Sequence, residues 1–393
     1  MSERIKSPAS KSWVWYLFFV AMSIWALVEV LAYQFGGVSS YLASRLWVGI
    51  GIFYVGISLW AVACAVYSDF RSGNFVNILA LTAVIAIFCL DVNLPYVDHE
   101  STQQATDARN NLAEMDLGYT RTAFLGYPSR QYLWSYLPTY IFGPSFVALR
   151  WGYAWPFLLG LMLFYAGVQR VSTKISANNT LPALALLSIP CFPYVYEFFL
   201  HFEQVILPIS FVLQVVGWGL LAVTTFSLPN LVAMAWIGSM LGTSYTPSLS
   251  CWAILIALLT LEVVRLVRLK QPRHAAAWLA TALVIVSLGA CSFYTRTDLS
   301  SSLDSGNLTL TRAQHNLSQI LDLLLFPKEK SFFGTAMILP ALLYLLSSIL
   351  FRHGLFHFVL SLGSVGIILM SVILRGYADP PPFLALHRAM VAI

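Results

Sequence analysis

Residues 46–67 read LWVGIGIFYVGISLWAVACAVY, without one Asp, Glu, Lys or Arg. A helix of that length covers about 30 Å, the thickness of the hydrocarbon layer of a bilayer. Comparable apolar runs lie near 13–33, 75–90, 150–168, 180–198, 205–225, 230–246, 249–265, 275–293, 334–351 and 354–374. A soluble domain carries roughly a quarter charged residues; this chain carries 10%, with 59% hydrophobic residues, so its solvent is lipid. The expected fold is therefore all-α: a polytopic transmembrane helical protein with about eleven complete spans, one domain over 1–393. The closing FLALHRAMVAI (383–393) reads as the opening of a further, partial span.

The charges that remain are sorted by position. With the N-terminus in the cytoplasm, the inner side receives Arg4, Lys6, Lys11, Arg71, Arg170, Lys174, Arg265, Arg268, Lys270, Arg273 and Arg352. Its acids are Glu3, Asp69 and Glu262 alone. Bases concentrated in short inner loops set the orientation of a membrane protein. The basic balance thus belongs to topology, and no nucleic-acid partner is expected. The first apolar run lacks a small-residue cleavage site and reads as a retained helix. Five cysteines, all in or beside apolar runs and without C-x-x-C spacing, read as buried hydrophobes.

This topology leaves two long extracytoplasmic loops, 91–149 and 294–333. Loops of that length are usually functional or disordered. The first holds VDHESTQQATDARNNLAEMDLGY (97–119), a polar stretch after about ninety largely apolar residues. Asp98 and Glu100 share a face on an extended chain and diverge by about 200° on a helix. Either carboxylate suits a general base that takes a proton from an acceptor hydroxyl or amine. The plain alternative is a solvated polar loop. Further along, SRQYLWSYLPTYIFG (129–143) has the aromatic content of a segment lying at the membrane interface.

Together these residues resemble the GT-C superfamily of integral-membrane glycosyltransferases, nearest the branch of protein O-mannosyltransferases and lipid A aminoarabinose transferases. The matching positions are Asp98/Glu100, Ala108-Arg109, Pro128, Phe142-Gly143 and Arg150. The resemblance is densest over 97–168. It departs in three ways: the acids read Asp-His-Glu instead of an adjacent pair, the Lys-Pro-Pro common in the branch is replaced by Tyr-Pro-Ser-Arg, and three apolar runs precede the loop instead of one span, an odd number that keeps the loop on the same side. The resemblance implies a polyprenyl-phosphate-linked sugar as donor, with Asp98 or Glu100 as base. An acceptor of unknown identity would complete the reaction. It also implies cations to hold the leaving phosphate, a task suited to the planar fork of arginine. The expected substrate-binding residues are Arg109, Tyr127, Arg130, Lys328 and Lys330, with Arg150 among the further candidates.

A second polar group, Glu197, His201 and Glu203, falls in YVYEFFLHFEQVILP (194–208) on the same side. Glu197 and His201 are four apart and share a face if helical. A substrate-side role, a local Glu–His hydrogen bond and a divalent metal are all open, and the expected set of metal ligands is none. GTSYTPSL (242–249) reads as a polar turn or as a cavity lining. Two other classes stand beside the transferase. A non-catalytic subunit of a larger membrane complex keeps the fold and loses the chemistry. A transporter needs ionisable groups inside its spans, and here the span interiors are nearly free of them, with Glu29, near an end, the main exception. The expected location is a bacterial inner membrane, with the endoplasmic reticulum sharing the same sidedness.

Overall fold

The computed structural model describes residues 13–35, 37–92, 134, 138, 141–143, 145–174, 180–190, 206–244 and 248–295. Among these residues there are helices and turns and no strand. The helices are α1 (Trp13–Phe35), α2 (Gly37–Ser72), α3 (Phe75–Asp91), α4 (Phe146–Lys174), α5 (Leu181–Ser188), α6 (Ile206–Thr224), α7 (Leu228–Ser244), α8 (Ser248–Arg268) and α9 (Pro272–Thr295). Backbone groups in lipid must be satisfied within their own segment, which is why apolar runs of this length become helices. Three of them hold a stretch long and apolar enough to cross a membrane: Trp13–Leu31, Gly49–Ser72 and Arg150–Lys174. Shorter apolar helical stretches cover Phe75–Leu90, Ile209–Thr224 and Leu228–Leu241. The expected spans 334–351 and 354–374, and the last part of 180–198, lie outside the described residues. Helix α2 is longer than expected, running from Gly37 to Ser72.

The tightest seam joins α4 and α6. A Cβ added at Gly160 would stand 2.9 Å from the Ser210 carbonyl oxygen, one at Gly167 2.8 Å from that of Gly217, and one at Gly217 2.6 Å from Leu163. Residue numbers rise together along the seam, so the two helices are parallel. Without side chains at these points the backbones approach closely, as small residues permit in membrane bundles. Gln214, fully buried, pins the seam to α2: Tyr54 Oη donates to its Oε1 at 2.5 Å, while its Nε2 donates to the Pro156 carbonyl at 2.8 Å. Cys64, Cys89 and Cys251 form no disulfide; Cys251 is buried as expected, but Cys89 is only half-buried and Cys64 is exposed on α2.

Contacts between helix ends give the bundle two ends. Lys174 Nζ donates to the Thr224 carbonyl at 3.2 Å and Arg170 Nε to Thr225 Oγ1 at 3.3 Å, joining the C-terminal ends of α4 and α6. The Trp15 ring meets Phe226 and His274, bringing the start of α1 to the α6–α7 turn and the start of α9. Gln169 Nε2 donates to Ser68 Oγ at 3.1 Å, placing the end of α2 there as well. Arg71, Arg170, Lys174, Arg265, Arg268, Lys270 and Arg273 therefore gather at one end, all exposed. This is the basic end.

Two turns at the basic end close in the same way. After α2, Gly73 N–H donates to the Phe70 carbonyl and Asn74 N–H to that of Asp69. After α8, Lys270 N–H donates to the Val267 carbonyl and Gln271 N–H to that of Leu266. Each pair is a Schellman closure, whose C′ residue adopts the left-handed conformation. Gly73 does so at φ +75° and Lys270 at φ +57°. For a residue with a Cβ, that conformation costs about 1–2 kcal/mol.

Candidate functional site

The described flanks of the first long loop converge at the end opposite the basic one. Helix α3 runs away from the basic end to Val92, and α4 begins beside it. Gly143, of the Phe142-Gly143 pair, adopts the left-handed conformation at φ +70° just before the helix. Ser145 then opens the helix: its N–H donates to the Gly143 carbonyl at 2.9 Å and its Oγ accepts from Ala148 N–H at 3.3 Å. One turn later Arg150, 6% exposed, sends Nη1 back to the Val92 carbonyl at 3.2 Å. The guanidinium thus ties the start of α4 to the end of α3. A buried guanidinium takes an acceptor wherever it finds one, and for Arg150, a further candidate for holding phosphate, a helix-end carbonyl is one such partner.

Beneath this junction the bundle is filled with aromatic side chains. Trp134, from the aromatic stretch 129–143, is 2% exposed. It packs on Trp155 of α4, Phe211 of α6 and Trp236 of α7, with ring centroids 4.7, 5.5 and 5.4 Å away. Trp155 Nε1 donates to the Trp134 carbonyl at 2.6 Å, fixing the loop residue to the helix. Tyr54 completes the group, with its ring 4.6 Å from that of Trp236. Burying rings of this size supplies much of the packing energy available in a bundle. The Trp134 indole N–H has no acceptor among the described residues.

A second buried polar group lies toward the basic end, and the sequence reading missed it. Asp69 was expected in an inner loop; instead it belongs to α2 and is 1% exposed. Its Oδ2 accepts from Tyr165 Oη at 2.6 Å and Asn77 Nδ2 at 3.0 Å, and its Oδ1 from Gln169 Nε2 at 3.3 Å. Asn77 Oδ1 in turn accepts from Ala183 N–H at 3.2 Å. The carboxylate therefore joins α2, α3, α4 and, through Asn77, α5. Its signal in the sequence was slight: an acid just before Arg71, which reads as surface charge. Glu29 is also fully buried and accepts from Trp25 Nε1 at 3.0 Å.

Asp98, Glu100, Arg109, Tyr127, Arg130, Glu197, His201, Glu203, Lys328 and Lys330 lie outside the described residues. Among the described residues, no three His, Cys, Asp or Glu side chains are grouped to hold a metal. Set against known protein families, curated proteins and solved structures, the chain matches none.

Proposed function

We propose that this chain is a GT-C-like glycosyltransferase that moves a sugar from a polyprenyl-phosphate donor to an acceptor at the extracytoplasmic face of a membrane. In this reading it has about eleven spans, a cytoplasmic N-terminus and a place in a bacterial inner membrane. The observation that carries it is the ordered series from Asp98/Glu100 through Ala108-Arg109 and Phe142-Gly143 to Arg150. The carboxylate would deprotonate the attacking acceptor, and Arg109, Arg130, Lys328 or Lys330 would hold the phosphate as its charge grows. Tyr127, Glu197, His201 and Glu203 would line the donor or acceptor. The donor's lipid tail would stay in the bilayer.

The test is sugar transfer in membranes with radiolabelled polyprenyl-phosphate sugars, comparing wild type, Asp98→Asn and Glu100→Gln at equal expression. The expected result is loss of transfer in one variant with donor binding retained. A wild type that neither binds nor transfers any sugar across a broad panel defeats the reading.

One observation favours a second reading, a non-catalytic subunit of a membrane complex. Between α2, α4, α6 and α7, where an open cavity would favour the enzyme, the described rings of Trp134, Tyr54, Phe211 and Trp236 pack against one another. Co-purification of stoichiometric membrane partners, with no donor bound, would mark that outcome. Transport stays third, although Asp69 and Glu29 show that the bundle does bury acids.

A further inference from the structure

The turn between α8 and α9 and its counterpart between α2 and α3 place different residues at the position of positive φ. Both end their helix with the same pair of hydrogen bonds, and both need a residue at positive φ. One uses Gly73, which meets that need without strain. The other uses Lys270, alone among the described non-glycine residues in having positive φ. A lysine there strains the fold, so its ammonium must be wanted at the tip of the turn for another reason.

Its surroundings indicate what for. Arg268, Lys270 and Arg273 are exposed and have no acidic partner among the described residues. The nearby acid, Glu262, is already occupied by a two-toothed pair with Arg265, at 2.6 and 2.7 Å. His274 faces away, against Trp15 and Phe226. Just below the cations, Val264, Val267 and Leu269 are 41%, 59% and 53% exposed. Val264, Val267 and Arg268 follow helical spacing along one face of α8. An apolar strip thus runs up to three exposed cations, without an acidic partner among the described residues, at the rim of a bundle whose outer surface faces lipid.

We infer that this turn is a binding site for an anionic glycerophospholipid. An acyl chain lies along Val264 and Val267, and the headgroup phosphate is held by Arg268, Lys270 and Arg273. The site needs only a membrane-embedded bundle and does not depend on the transferase reading. Cations at a membrane surface attract acidic lipid, and guanidinium groups bind phosphate through paired hydrogen bonds.

The test uses the full chain in nanodiscs of phosphatidylcholine with or without phosphatidylglycerol. Lipid retained through purification is counted by native mass spectrometry. Wild type is expected to retain phosphatidylglycerol selectively, and each neutralised cation (Arg268→Gln, Lys270→Gln, Arg273→Gln) to reduce retention by about fivefold at low salt. Arg170→Gln with Lys174→Gln, at the same end but hydrogen-bonded to Thr224 and Thr225, should leave it unchanged. Lys270→Gly separates binding from folding: it should raise the melting temperature in phosphatidylcholine while lowering phosphatidylglycerol retention. Retention at the wild-type level in Lys270→Gly, or equal losses in the Arg170/Lys174 control, would overturn the site. Displacement of the lipid by inorganic phosphate would overturn its assignment to a lipid.

Discussion

Three stretches of this chain are long and apolar enough to cross a bilayer, yet they live in different surroundings. Of an 18-residue window within Arg150–Lys174 in α4, 78% is buried within the bundle; of the corresponding windows within Trp13–Leu31 in α1 and Gly49–Ser72 in α2, only 22%. Mean hydropathy runs against burial, 1.3 for the buried stretch and 2.0 for the other two, because lipid and protein interior are about equally apolar. Small and polar residues draw the distinction instead. Helix α4 meets α6 through Gly160 and Gly167 and carries the Pro156 carbonyl that Gln214 caps. The lipid side of α2 shows Ile52 and Trp60, 71% and 72% exposed.

The largest test of this difference is a pair of glycines. Gly217→Leu forces a side chain into the backbone of Leu163, 2.6 Å from the new Cβ. Overpacking of a close seam costs about 1–3 kcal/mol and sometimes more, and neither backbone can give way alone. We expect a destabilisation of about 3 kcal/mol or greater, read as a fall in melting temperature in neutral detergent. Gly56→Leu, on the exposed side of α2, meets nothing within 4 Å, and we expect a change within about 0.5 kcal/mol. Equal losses at the two sites would erase the contrast.

Next comes Asp69→Ala, which leaves the donors of Tyr165, Asn77 and Gln169 facing an empty acceptor. Each buried donor left unpaired costs about 1–3 kcal/mol. Partial repairing among the three makes about 3 kcal/mol the expected total. Asp69→Asn retains one acceptor oxygen and should lose less. Amide exchange in α3 and α5 should rise along with the loss, because Asn77 reaches Ala183 from the same group. A loss confined to α2 would show that the carboxylate does not couple these helices.

Much of this architecture was legible beforehand, for a physical reason. Apolar runs specify helices in lipid almost by themselves, and the start of α6 at Ile206 and the end of α3 at Asp91 fall within a residue of the expected limits. Gathering of the bases at one end followed from charge alone. Misread features were those where a polar residue sits in an apolar context. Asp69 looked like loop charge because its partners Tyr165 and Gln169 are about a hundred positions away. The partner of Arg150 was hidden in the same way, because nothing local announces that α3 ends beside it. The proposed carboxylates and phosphate cations concentrate in the segments between apolar runs, where hydropathy sets no geometry. Their arrangement needs the transfer assay.

A smaller effect should come from Tyr54→Phe. It removes the hydroxyl that Gln214 accepts and leaves the ring stacked on Trp236. The amide oxygen stays buried without that donor, so the expected cost is about 1–2 kcal/mol. The packing of Gly160 and Gly167 should persist, and a cross-link engineered between α4 and α6 should form as readily as before. Failure of that cross-link would mean that Gln214, and not the glycines, sets the seam.

Smallest of all is the pH response at the basic end. His274 stands at the start of α9, against Trp15 and Phe226, and burial lowers its pKa from 6.5. Burial therefore favours the neutral ring, and the unfolded chain takes up a proton at higher pH than the folded one. Stability contributed in this way is complete above about 6.5 and is lost as pH falls through the lowered value. Its Nδ1 lies 3.1 Å from Gln271 Oε1, a contact the neutral ring can make by donating. Replacing the imidazole by a ring that cannot titrate, His274→Phe, keeps the apolar contact with Trp15 and should flatten this part of the melting-temperature profile between pH 5 and 7. The chain has six other histidines, so the informative quantity is the difference between the two profiles. A difference that grows on acidification assigns the sensitivity to the packing of α1 against α9; parallel profiles would assign it elsewhere, and the lightly buried α1 would then be held at this end by apolar contact alone.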